Sequence, residues 1–303
     1  MTRPAVSIVL PTRNGASTLP AVLDAIAAQR TDLAFEVIAV DSSSTDGSAD
    51  LLRARVDRFV SIPAGAFDHG LTRNLGVEQA RGDLVVLMVQ DAVPAGDSWL
   101  ASLTAPLLAD ERVAGAFARQ IPHAKAGPLA RYHLNMWAAS STSPRTSAID
   151  SRAEFAALEP RAQFDLCAFD NVCSCIRRSV WAEYPFGETP IAEDIEWARS
   201  VLLAGFTLAY VPDAVVFHSH DRSVRYELAR TYVLHRRLYE LFGLRTIPTL
   251  PHLARATVSS LVTHVRFQKD LRAVGLAFAW PLGQYSGALS AAKGWRLSRS
   301  SGV

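Results

Sequence analysis

An α/β fold, with a mostly parallel sheet and helices on both faces, follows from two features of the chain. Short β-branched runs alternate with helically spaced apolar residues over the first 120 positions, and polar motifs fall just after those runs. Val6-Ser7-Ile8-Val9-Leu10 reads as a strand ended by Pro11. Leu19, Val22, Leu23 and Ile26 then recur at helical spacing, with Ser17 or Thr18 placed to cap. Residues 37–40 and 59–62 read as two more strands, separated by a polar loop over 41–47 and a helix through Leu52. A helix over residues 71–80 leads to the apolar strand 84–89. In such a sheet, ligands gather at the carboxyl ends of the strands. Thr12-Arg13-Asn14, Asp41 and Asp91 all sit at such ends.

Residues 121–165 break the rhythm. Pro122, His123, Gly127, the run Ser140-Ser141-Thr142-Ser143-Pro144 and Pro160 predict an irregular segment with scattered helix, serving as binding loops or as solvated surface. Residues 171–176 alternate as a strand, and Glu193-Asp194-Ile195-Glu196-Trp197 opens a helix that Gly205 stops. Two further strands, 208–211 and 214–217, end in His218-Ser219-His220. Beyond Arg222 the pattern is helical and basic. The expected organisation is one α/β unit over residues 1–240 and a basic, mainly helical extension over 241–303.

Charge supports that division. Residues 243–303 carry eight basic side chains against Asp270 alone, a balance of +7, which leaves −5 for residues 1–242. An acidic body with a basic tail points to an anionic surface as the tail's partner. No nucleic-acid module accompanies the charge, which sets nucleic acid aside. Leu228, Tyr232, His235, Tyr239 and Phe242 share helical spacing, and Phe278, Trp280 and Trp295 add aromatic groups near basic ones. Such helices either lie on an anionic bilayer or cap the main unit with a solvated basic face. No signal-peptide pattern is visible, and no apolar run approaches the roughly 20 residues that span a bilayer. Cys167, Cys173 and Cys175 form no CxxC pair, so neither a disulfide framework nor a zinc site is expected. A cytoplasmic setting, with contact at the inner face of the membrane, is the expectation.

Four constellations carry chemistry. Asp91, after an apolar strand, is a hard oxygen ligand suited to Mg²⁺ or Mn²⁺; equally, it could cap the turn at Pro94. His218 and His220 end another strand and could add nitrogen ligands, which Mn²⁺ tolerates better, or could be surface residues. Arg73, near a helix start, could hold an anion with Thr72 and Asn74 beside it, or could be a surface residue. Asp41 could accept hydrogen bonds from a base or ribose, whereas Asp46 reads as a helix cap. Glu193-Asp194 could cap a helix or supply a general base.

Order and spacing are more specific than any one motif. Ser7-Ile8-Val9-Leu10-Pro11-Thr12-Arg13-Asn14-Gly15, followed by Val40-Asp41-Ser42-Ser43-Ser44-Thr45-Asp46-Gly47, resembles the opening of family 2 inverting glycosyltransferases with the GT-A fold. His69-Gly70-Leu71-Thr72-Arg73-Asn74-Leu75-Gly76 with Gln90-Asp91-Ala92 is similar to the bacterial rhamnosyltransferase branch. Ala192-Glu193-Asp194-Ile195-Glu196 and Phe217-His218-Ser219-His220-Asp221-Arg222 complete the likeness over about residues 5–240.

The resemblance implies a Rossmann-like GT-A sheet and an inverting transfer, of L-rhamnose from dTDP-L-rhamnose, to a hydroxyl of a polysaccharide or lipid-linked saccharide. It implies Pro11, Thr12, Arg13, Asp41, Arg73, Gln90 and Arg222 around the nucleotide diphosphate. Asp91, with His218 or His220, would hold a divalent metal. Asp194 would be the base, supported by Glu193. Val89 stands where the usual Asp-x-Asp motif has its first acid. The alternatives are another UDP- or GDP-sugar donor, or a silent nucleotide-binding partner in polysaccharide assembly. A nucleotidyltransferase is disfavoured by the lack of a glycine-rich, lysine-bearing phosphate loop.

Overall fold

The computed structural model describes residues 3–295; Arg296 and Arg299 of the basic tail lie outside the described residues. The first half runs β1 (Val6–Thr12), α1 (Leu19–Ala27), β2 (Phe35–Asp41), α2 (Ser48–Arg55), β3 (Arg58–Ser61), α3 (His69–Glu78), β4 (Leu84–Met88), β5 (Val93–Pro94), α4 (Trp99–Ala109) and β6 (Val113–Ile121). There follow α5 (Pro128–Asn135), β7 (Arg145–Ser147), α6 (Arg152–Ala157), α7 (Pro160–Leu166), β8 (Cys173–Arg177), α8 (Arg178–Glu183), α9 (Glu193–Leu203) and β9 (Thr207–Phe217). Three long helices close the described chain: α10 (Val224–Phe242), α11 (Leu250–Phe267) and α12 (Leu271–Ala292).

The sheet has the order β3-β2-β1-β4-β8-β6-β9-β5, with β7 added on β9. β3, β2, β1 and β4 are mutually parallel, β8 is antiparallel to both β4 and β6, and β6 and β9 are parallel. Alternation along the strands puts core on both faces. Ile8, Leu10, Val86 and Met88 face α1 and α4, where Leu19, Val22, Leu23, Trp99 and Leu103 are buried. Val9, Val85 and Leu87 face the opposite way, onto Val77 of α3 and Trp197 and Val201 of α9. Gly76 permits the close approach of α3: a Cβ there would lie 2.2 Å from Val9 Cγ1.

One expectation changes. Residues 208–217 form one strand rather than two; Pro212-Asp213 reads as a turn in sequence, but the chain absorbs it as a register shift against β6. Residues 121–165 carry the scattered helix expected of them, as α5, α6 and α7, and are tied into the fold. Tyr132 of α5 stacks on Phe267 at 4.5 Å, and β7 pairs with β9. Cys167, Cys173 and Cys175 are buried free thiols.

The C-terminal helices rest on α10. α12 turns a small-residue face toward it, where a Cβ at Gly283 would meet Thr231 Cβ at 2.9 Å and one at Gly287 would meet the Tyr232 carbonyl at 2.2 Å. α10 ends in the left-handed residue Gly243 (φ 70°), whose N–H donates to the Tyr239 carbonyl. α11 has a single fully buried residue, His264.

Candidate active site

Hydrogen bonds tie together the carboxyl ends of β1, β2 and β4. After β1, the N–H groups of Asn14, Gly15 and Ala16 donate to Ser44 Oγ, Ser48 Oγ and Asp46 Oδ2, in the loop after β2 and the start of α2. Gln90, just past β4, accepts from Arg13 N–H at 2.8 Å and donates to the Arg13 carbonyl at 3.0 Å. Both ends of the Gln90 amide are therefore spent on shaping the Arg13 loop. Thr12 and Asp41 are buried. The Asp41 carboxylate accepts from Ser44 N–H and Ser44 Oγ, which ties the serine loop to the end of β2. Asp46 braces the two loops, and Gly47 occupies the N-cap position of α2. Pro11 lies at the end of β1, half-buried, and Arg13 is exposed.

Non-glycine residues rarely adopt positive φ, and such strain clusters at functional sites. Among the described residues there are three: Asn14 (49°), Ser43 (56°) and Ala192 (63°). The first two shape the loops after β1 and β2. Ala192 sits immediately before Glu193.

Asp91, His218 and His220 come together as the sequence predicts. One ligand atom from each lies within 4.8 Å of the others. His220 Nε2 is 3.3 Å and His218 Nε2 3.9 Å from the Asp91 carboxylate. His218 Nδ1 lies 3.0 Å from Gln120 Oε1. The Gln120 amide is itself oriented, because its Nε2 donates to Asp170 Oδ2 at 2.6 Å. Its oxygen therefore faces His218, Nδ1 carries the proton, and Nε2 is left with a lone pair toward Asp91. This is the usual way a ligating histidine is set. Burial, then the neighbouring His220 and Arg222, hold His218 well below its ordinary value, so the ring is neutral. A neutral imidazole pair with one carboxylate is a donor set that suits Mn²⁺ and other first-row divalent cations.

Glu193 and Asp194 open α9 and divide the work. Glu193 is buried against Arg73 of α3, Oε1 to Nη1 2.9 Å, with side-chain exposures of 6% and 5%. Burial raises the Glu193 pKa, but the Arg73 and His69 charges outweigh it and hold the carboxyl below its usual range. Arg73 also donates to the His69 carbonyl at 3.0 Å. The cation that the sequence offers to a ligand is thus paired within the protein. Asp194 accepts from Asn171 N–H at 3.2 Å and from Ile195 N–H at 2.8 Å. Its pKa is raised well above the ordinary value by burial, then by the Glu193 and Asp170 carboxylates. A carboxyl pushed toward neutrality is the better proton acceptor of the two.

A hydrogen-bonded path joins the two centres. It runs from His218 through Gln120 to Asp170, whose neighbour Asn171 donates to Asp194. Trp137 Nε1 also donates to Asp170, at 2.8 Å, which brings the segment after β6 into the site. Gln120, Trp137, Asp170 and Asn171 carry no sequence signal, since none belongs to a recognisable motif. Arg222 stands over the Tyr226 ring at 4.7 Å, and burial lowers its pKa. Arg230 of α10 is a further cation here, and its charge acts on His69, Asp170, His218 and His220. Among the described residues it has no ion pair.

A model of the glycosyl transferase family 2 matches residues 7–165. The chain belongs to glycosyltransferase family 2. It is 33% identical over 231 residues to the O-antigen chain rhamnosyltransferase RfbN of Salmonella typhimurium, which covers 75% of this chain and 70% of the relative. It is 30% identical over 232 residues to WbaN of Salmonella anatum, also an O-antigen chain rhamnosyltransferase, covering 76% and 70%. Among solved structures, the mannosyltransferase PcManGT from Pyrobaculum calidifontis, in complex with GDP-Man and Mn²⁺, aligns with a TM-score of 0.55 at 21% identity over 98% of this chain and 77% of that one. Glucosyl-3-phosphoglycerate synthase from Mycobacterium tuberculosis aligns with a TM-score of 0.56 at 20% identity, covering 80% and 81%. These likenesses establish the GT-A fold. The chain is a glycosyltransferase.

Proposed function

We propose that this glycosyltransferase moves L-rhamnose from dTDP-L-rhamnose to a hydroxyl of a polysaccharide or lipid-linked saccharide acceptor, with inversion. The observation that carries the chemistry is the buried path from His218 to Asp194, which puts a metal-type donor set and a raised-pKa carboxylate in one site. The two Salmonella relatives support the choice of sugar.

Asp194 takes the proton of the acceptor hydroxyl as that oxygen attacks the anomeric carbon. The bond from that carbon to the diphosphate oxygen breaks with its electron pair leaving on the nucleotide, so no covalent sugar–enzyme intermediate forms. Arg222 and Arg230 supply positive charge where the leaving diphosphate gains negative charge. Asp91, His218 and His220 would hold Mg²⁺ or Mn²⁺, which when bound supplies further charge stabilisation to the diphosphate. Glu193, anchored by Arg73, fixes the start of α9 and so aims Asp194. Pro11, Thr12, Arg13 and Asp41 line the nucleotide side, with Gln90 holding the Arg13 loop in place. Residues 1–240 form the catalytic unit and 241–303 an extension.

The test is Asp194→Asn, which keeps shape and removes the base. A positioned base contributes about 10²–10⁴-fold. Turnover of dTDP-L-rhamnose should fall by that factor while donor binding stays within about twofold of wild type. Near-intact turnover would remove Asp194 from the base role.

A further inference from the structure

We propose that the outward face of α11 is a docking surface for an anionic lipid bilayer. Fourteen large apolar side chains are exposed among the described residues, and nine of them lie between Leu250 and Trp295. On α11 they form one stripe: Leu250, Val258, Val262 and Val265, in register with Ala254, recur at the three- and four-residue steps that share a helix face. Val258 and Val262 are 64% and 66% exposed, and Leu271 at the start of α12 is 90% exposed. A helix on a protein body normally hides this stripe. α11 instead turns His264 inward, against the rings of His133 and Trp280, and leaves the aliphatic row in solvent.

Charge identifies the occupant. Arg255 and Arg266 flank the stripe, and Lys269 follows it; none has an ion pair or side-chain hydrogen bond among the described residues. α11 contains no acidic residue. An apolar stripe edged by unpaired cations fits a surface that is apolar below and negative above, which describes an anionic leaflet. A protein partner would need its own acidic rim around an apolar groove. A membrane-crossing role is not open to it, because no described helix is long and apolar enough to cross.

The test is vesicle co-sedimentation of the full chain without donor or acceptor, so that its outcome is separate from that of glycosyl transfer. Vesicles of phosphatidylcholine alone are compared with vesicles containing phosphatidylglycerol, at low and high salt. The chain should bind the anionic vesicles and be released by salt. Arg255→Gln with Arg266→Gln should weaken binding on the order of twentyfold, from about fivefold per basic side chain. Val258→Asp with Val262→Asp should abolish binding while circular dichroism and donor turnover stay unchanged, since both side chains are already in solvent. Equal binding by the aspartate variant, or no binding by the parent chain, overturns the proposal. A parent dimer that those aspartates convert to monomer, without vesicle binding, would also overturn it and assign the stripe to a second copy of the chain.

Discussion

Arg73→Met should destabilise the protein severely, because it strands a carboxylate inside it. Arg73 and Glu193 are 5% and 6% exposed and meet at 2.9 Å, joining α3 to α9. Breaking such a pair from one side costs about 3–5 kcal/mol, since the remaining charge has no partner and little water. Against a total stability of about 5–15 kcal/mol this is a large share. Glu193→Gln should cost less, because Arg73 keeps its bond to the His69 carbonyl and can donate to the new amide oxygen. The double variant Arg73→Met with Glu193→Gln removes both charges of the pair, so its cost should fall short of the sum of the singles by about 2–3 kcal/mol. Urea denaturation of the four proteins reads this directly; with a slope of about 3 kcal/mol/M, the Arg73→Met midpoint should drop by about 1–1.7 M. If Arg73 instead serves the donor diphosphate, its loss would leave the midpoint within about 0.2 M and weaken donor binding. That outcome, or additive singles, would refute the anchoring role of the pair.

Two further predictions test the site's other half and its titration. Gln120→Ala removes the acceptor that sets the His218 ring, so Mn²⁺ affinity by calorimetric titration should fall about 10–100-fold; unchanged affinity would show that the Gln120 contact does not prepare a metal ligand. The Asp194 carboxyl holds its proton more tightly in the folded chain than in the unfolded one, through burial and then the charges of Glu193 and Asp170. Its stabilising effect is therefore full below the ordinary carboxylate range and lost as pH rises through the raised value. Asp194→Asn should thus melt higher than wild type at neutral pH, with the gap closing on acidification, and a variant that melts lower at neutral pH would contradict the shift.

The parts legible in sequence were those with local causes. Alternation of β-branched runs and helical spacing announced β1 to β4, and β1, β2 and β4 stand out because they are buried on both faces and so read as apolar runs. Glu193 to Gly205 was legible at both ends, through its acidic first turn and its left-handed glycine. The grouping of Asp91, His218 and His220 was legible from residue type and strand-end position. The insertion of β8 between β4 and β6 was not, since antiparallel pairing across distant segments leaves no local trace. Nor was the partner of Arg73: its helix start promised an anion, and only tertiary packing shows that the anion is Glu193. Gln120, Asp170 and Asn171 were hidden for the same reason. Each acts through a neighbour rather than a motif, and Gln120 lies on a strand whose first six residues are small or apolar and buried.

The most direct measurement is nucleoside diphosphate release by the purified protein offered dTDP-L-rhamnose, UDP-glucose, UDP-galactose or GDP-mannose. Each is assayed with Mn²⁺ or Mg²⁺ and again with chelator, in the presence of a saccharide acceptor pool, for the parent chain and Asp91→Ala. Release from dTDP-L-rhamnose alone, lost on chelation and in the variant, is the predicted result. Release from a different donor would contradict the rhamnosyl assignment while leaving the fold and the Asp194 chemistry standing, and release that survives both chelation and Asp91→Ala would contradict the metal site.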